Sequence, residues 1–185
     1  MKNDIYIDSL ETIPFEVTTT TLPTPTTTST TTTTLPAREA AFFEGFESPL
    51  GAEWTNHEVQ LWTTAGQPSA FVDGATLARF NAQDSLRLSL SLCGYRDIKV
   101  QWNRMTKNRQ TGRYLDLSWW DGAVWRLLER INGNTLVWEA KVFSLPASAN
   151  DNPAFQLKIE SINTTTAGLG FVDKISITGT PGALR

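Results

Sequence analysis

Seven tryptophans dominate the side chains that could do chemistry in this chain: Trp54, Trp62, Trp102, Trp119, Trp120, Trp125 and Trp138. A buried indole is core material, whereas an exposed one is a flat apolar platform with a single N–H donor at its edge. Adjacent residues of a strand face opposite ways, so only one of Trp119 and Trp120 can point inward. Four or five of the seven rings are expected in the core. The remainder suits stacking against the C–H faces of sugar rings. Trp120, Trp125 and Trp138 are the candidate platform, with Arg126 and Gln101 as partners for sugar hydroxyls.

The parts needed for catalysis are scarce. One histidine, His57, rules out a site built on several imidazoles. Asp84, Ser85, Asp116 and Ser118 offer triad partners for it, but no nucleophile-elbow glycine pattern accompanies them. No glycine-rich phosphate loop is present. A carboxylate pair for glycoside hydrolysis is defined in space rather than along the chain, and stays open. The chain therefore reads as a non-enzyme. Its one cysteine, Cys93, excludes an intrachain disulfide and is expected to be a small buried residue. Asn163-Thr164-Thr165 matches an N-glycosylation acceptor at Asn163, which matters only in a secreted protein.

Charge narrows the partners. A net charge of -3 and a pI near 5.2 argue against nucleic acid, which selects a concentrated basic surface. No apolar run approaches the roughly 20 residues of a spanning helix. The opening residues Met1 to Asp8 include acids where a leader peptide has an apolar stretch. Either export by that route is not used, or a leader was removed before this numbering begins.

Three regions follow one another. Residues 18–39 form a linker or stalk: of the nineteen residues from Thr18 to Pro36, thirteen are threonine and three proline, and TTTTLP occurs twice. Such a stretch has almost nothing to bury, and its β-branched and φ-locked residues favour extension. At ~3.1 Å per residue it would reach about 60 Å. Ahead of it, residues 1–17 alternate apolar and polar at Ile5, Ile7, Ile13, Phe15 and Val17. A strand-like peptide too short to fold alone suits addition to another subunit's sheet, so these residues are the candidate assembly segment.

Residues 40–180 are an all-β domain, followed by a tail over 181–185. Ile98, Val100 and Trp102 alternate with polar residues, as do Leu115, Leu117 and Trp119, and Phe155, Leu157 and Ile159. Asp121-Gly122 marks a hairpin turn and Asn132-Gly133 a second one before a strand over Leu136 to Phe143. Eight to ten strands cannot lie in one open sheet without exposing an apolar face. A two-sheet antiparallel β-sandwich with an extended N-terminal arm is expected.

The domain opens on Phe43-Glu44-Gly45-Phe46-Glu47-Ser48 with Trp54 following. It closes on Gly170-Phe171-Val172-Asp173-Lys174-Ile175-Ser176-Ile177-Thr178-Gly179, with Leu115 to Trp125 between. In these motifs it resembles the jelly-roll β-sandwiches of the galactose-binding-like, MAM-like and carbohydrate-binding-module type. The resemblance covers about residues 42–180. It implies a structural calcium ion where the first and last strands meet, with Glu47 and Asp173 as ligands. The family's second acid in the last strand is Lys174 here, which weakens that implication.

Taken together, the sequence reads as a structural or adhesive surface module, attached through residues 1–17 to a larger assembly of protein subunits. A virion or an extracellular filament would be its setting. The rival reading is a carbohydrate-binding module that takes glycans on exposed tryptophans.

Overall fold

The computed structural model describes residues 39–182, apart from Ser69 and residues 164–167. The expectations placed on Ile5, Ile7, Ile13, Phe15, Val17 and the threonine stretch lie outside the described residues. Within them, eleven strands form two antiparallel sheets.

The six-stranded sheet runs β3 (Gln60–Thr63), β4 (Thr76–Phe80), β11 (Leu169–Pro181), β6 (Tyr95–Lys107), β9 (Glu139–Ser144). β1 (Glu39–Glu44) lies on the same edge of β11 as β4, pairing with its residues 175–179 while β4 takes 170–172. The five-stranded sheet runs β2 (Trp54–His57), β5 (Ser85–Leu90), β10 (Phe155–Ile162), β7 (Tyr114–Trp120), β8 (Trp125–Asn132).

Period-two alternation places each side chain. On β10, Phe155, Leu157 and Ile159 are buried while Gln156, Lys158 and Glu160 face outward. On β5, Leu86 and Leu88 point in and Arg87 and Ser89 point out. These inner residues meet Ile98, Val100, Trp102, Ile175 and Ile177 of the other sheet in one core. Each such side chain contributes about 1.5–3 kcal/mol by leaving water. Trp54, Trp102, Trp119 and Trp138 are the buried tryptophans, and Trp119 is the inward member of the Trp119–Trp120 pair.

A smaller apolar cluster of Val72, Leu77, Trp138 and Phe171 forms apart from this core, with Phe71, Met105 and Leu169 packed against it. It alters two expectations. The strand anticipated over Leu136 to Phe143 begins only at Glu139. Leu136 turns into the left-handed region at φ 58, and its amide donates to the Thr106 carbonyl, which frees Trp138 to pack in the cluster. Cys93 is exposed rather than buried, because it sits in the turn between β5 and β6 and not on an inward strand position.

Candidate functional site

The outer face of the five-stranded sheet carries the aromatic platform. β7 and β8 form a hairpin whose turn is tied by Asp121. Its Oδ1 accepts the amides of Ala123 (2.9 Å) and Val124 (2.8 Å), and its Oδ2 accepts from Arg126 Nε (2.5 Å). The amides of Val124 and Ala123, with Arg126 behind them, hold the Asp121 carboxyl down at about 2. Gly122, at φ 101, supplies the backbone bend that a side chain would resist.

A bulge decides what this hairpin displays. From Tyr114 to Leu117 the strands pair with Asn132 to Glu129, but Ser118 pairs with Leu127, leaving Leu128 as the extra residue. Leu128 packs against the core. The shift puts Trp125, and not Arg126, opposite Trp120. Both indoles consequently share the outer face, with ring centres 5.6 Å apart at 60°.

Polar groups surround the pair. Lys158 Nζ lies 5.0 Å from the Trp125 ring centre and 2.8 Å from Glu160 Oε2. The Leu157–Trp119 pairing sets Gln156 beside Trp120, and Gln156 in turn pairs with Ser89 of β5. Beyond it, Ser89, Ser91, Pro153, Ala154 and Gln156 line a depression of about 380 Å³. Further along the face, Arg130 stacks over Tyr114 at 4.4 Å and pairs with Asp116 at 2.6 Å. Indoles, hydroxyls, an amide and charged groups lie on one open surface. Such a surface can stack a ring and bond its substituents at once.

Two of the five platform residues, Trp120 and Trp125, therefore share the face, while Arg126 pairs with inward-facing Trp119, lies on the other side of β8 and reaches Asp121 at the turn. The remaining two lie elsewhere. Gln101 belongs to β6 in the opposite sheet, and Trp138 is buried in the second cluster with its Nε1 donating to Gln67 Oε1 (2.7 Å). Residue type alone grouped them, and the fold separates them. Lys158, Gln156 and Arg87 escaped the sequence reading, although their outward positions follow from the alternation of β10 and β5.

Asn163 is 2 % exposed in the folded domain, and its Nδ2 donates to the Gly168 carbonyl (3.2 Å). The nitrogen that would carry a glycan is turned into the protein, so the glycosylation expectation is corrected for the folded state. Next to it Arg109 is an unforeseen buried pin, donating to Leu169 O, Tyr114 O and Ser161 Oγ. Burial lowers its pKa to about 10.

Glu47 and Asp173 both grip the turn from Asp73 to Thr76, at different points. Glu47 accepts the amides of Ala75 and Thr76, which draw its carboxyl below the ordinary range. Gly74, at φ 57, is required there, since a Cβ would overlap the Glu47 carboxylate. Asp173 is fully buried and accepts the amides of Asp73 (2.9 Å) and Lys174 (2.6 Å). Burial, with the Asp73 charge adding to it, raises its carboxyl to about 6 despite those bonds. Its cross-strand partner Asn103 donates to the Phe71 carbonyl, while Asn103 Oδ1 is buried without a hydrogen-bond partner. No group of three or more His, Cys, Asp or Glu converges on a metal position among the described residues. Glu47 and Asp173 both accept backbone amides, and Asn103 Oδ1 beside Asp173 is the oxygen left uncommitted.

Strand order and sheet pairing define a two-sheet antiparallel β-sandwich of the jelly-roll kind. No protein-family model and no curated protein matches the sequence. Among solved structures it is similar to the K3 cleaved adhesin domain of Lys-gingipain from Porphyromonas gingivalis w83. That likeness has a TM-score of 0.52 at 15% identity, covering 77% of this chain and 99% of that one. The K2 cleaved adhesin domain of Lys-gingipain gives 0.51 at 14% identity over 76% and 99%. The CBM22-2 xylan-binding domain from Paenibacillus barcinonensis Xyn10C gives 0.49 at 11% identity over 75% and 99%. At such identities the adhesin likenesses establish the fold, and the ligand has to be argued from the face itself.

Proposed function

We propose that the domain is a non-catalytic glycan-binding module, with the glycan lying across the outer face of the five-stranded sheet. One observation carries this reading: Trp120 and Trp125 are paired on that face by the β8 bulge, beside Gln156 and Lys158. A ring that served only the core would have gone inward, as Trp102 and Trp119 do. Sugars bind by stacking an apolar C–H face while the rim hydroxyls exchange hydrogen bonds, and this surface supplies both partners. The test is a glycan array probed with the whole chain and with Trp125→Ala. Recognition of defined glycans by the former and not the latter is expected. Silence from both on a broad array ends the reading.

Display completes the proposal. No helix of the described residues is long and apolar enough to cross a membrane. The threonine-rich stretch is the spacer, and residues 1–17 dock into a larger assembly, on a virion or at a cell surface. Removing residues 1–17 should abolish incorporation into that assembly and leave glycan binding intact. Unchanged incorporation would refute docking by this segment.

Calcium is a second element, favoured by the unpartnered Asn103 Oδ1 beside buried Asp173. Asp173, Asn103 and nearby carbonyls would hold the ion, which would supply structural charge neutralisation. The pH response separates the two states. With no ion, a carboxyl raised from about 4 to about 6 by folding adds stability that is complete below pH 4 and lost as pH rises through 6. In chelator, the melting temperature should rise on acidification from about pH 7 to about pH 5, other groups permitting comparison with Asp173→Asn. Millimolar calcium should raise it at neutral pH and flatten the trend. Superimposed curves with calcium and with chelator would exclude the ion.

A further inference from the structure

We infer that the glycan is acidic: the sugar seated on Trp125 carries a carboxylate, as a uronic acid does, and Arg87 and Lys158 hold it. The inference rests on the reading that this face binds glycans. Arg87 and Lys158 are direct cross-strand partners on the outer face, a juxtaposition of like charges that weakens a sheet. The other cation of the face, Arg130, is neutralised by Asp116. Glu160 neutralises one charge of the Arg87–Lys158 pair, through Lys158. Arg87 is exposed and has no carboxylate in ion-pair distance among the described residues. One net positive charge is left in the middle of the face, on a chain whose overall charge is -3.

Position turns this charge into recognition. Lys158 is held between the Trp125 ring, 5.0 Å from its centre, and Glu160, so its ammonium does not swing freely in solvent. A sugar seated on the Trp120–Trp125 pair would have its substituents within reach of that ammonium. A carboxylate there meets the Lys158 ammonium, with the unpaired Arg87 on the next strand across the face, and charge-assisted bonds to it are about twice as strong as neutral ones. A neutral hydroxymethyl group in the same place leaves the Arg87 charge uncompensated.

The experiment uses the full chain on an array of matched pairs: oligogalacturonate and oligomannuronate, each beside its methyl ester, with neutral xylan and galactan oligosaccharides. Binding to an acidic member, lost in its ester and weakened about tenfold by Arg87→Ala or Lys158→Ala, is expected. Lys107→Ala, on the other sheet, should leave it unchanged. Equal binding of acids and esters, or Trp125-dependent binding to neutral glycans that ignores Arg87→Ala, overturns the inference and leaves glycan binding standing. Acid binding that survives both Arg87→Ala and Lys158→Ala also overturns it. No binding to any member overturns both readings. Melting curves of Arg87→Ala and of the milder Arg87→Gln show that the variants are folded.

Discussion

Alanine at position 104 should lower the unfolding free energy by about 3–5 kcal/mol, read as a shift in the urea midpoint. Arg104 is 3 % exposed and stands on β6 where the two sheets face each other. Its Nε and Nη2 bond both oxygens of Glu129 on β8 of the other sheet, at 3.2 and 2.5 Å. Its Nη1 reaches Glu139 on neighbouring β9 at 2.7 Å and draws that carboxyl below its ordinary range. Glu129 also accepts from Trp102 Nε1, whose ring is fully buried. Removing the guanidinium strands a mostly buried carboxylate, and that uncompensated charge is the main cost. Arg104→Met with Glu129→Gln should recover much of the loss, because glutamine still accepts from Trp102 and no charge is orphaned. A double variant as unstable as Arg104→Ala would show that packing volume, and not charge, is what Arg104 supplies.

Replacing Trp120 and Trp125 together by alanine should weaken glycan binding by about 2–4 kcal/mol, or about 30- to 700-fold in Kd, measured by titration calorimetry. Tryptophans at the centre of a contact carry a disproportionate share of binding free energy. These two are partly exposed, so their loss removes a platform without opening the core. The melting temperature should consequently move little. Trp125→Phe should retain part of the affinity, since a smaller ring still stacks. A double variant with unchanged Kd would move the site elsewhere.

What could be read in advance depended on whether one strand sufficed to decide it. The alternation of Phe155, Leu157 and Ile159 is a property of β10 alone, and it correctly separated core from surface. The same holds for Trp119 against Trp120. Trp138 could not be placed this way, because the segment before β9 is held by Thr106 and packs against Phe171 and Leu77 from other strands. Gln101 was misgrouped for a related reason: two outward residues in different sheets look alike along the chain. Asn163 shows a third limit, since a three-residue motif carries no information on whether its amide will be buried. The cross-strand meeting of Arg87 and Lys158 requires the register of β5 on β10, which no local pattern encodes.

The extra residue in β8 has an evolutionary corollary. Because Leu128 offsets the pairing by one, deleting a codon of the turn and drawing Leu128 into the ladder would set Arg126 opposite Trp120 and move Trp125 off that face, whereas deleting Leu128 itself would leave the two indoles opposed. An indole pair would become an indole and a guanidinium, with the turn still four residues long but now including Trp125. Insertion and deletion in the turn, absorbed at the bulge, offer the lineage a change of displayed side chains that substitution alone would reach only through several steps.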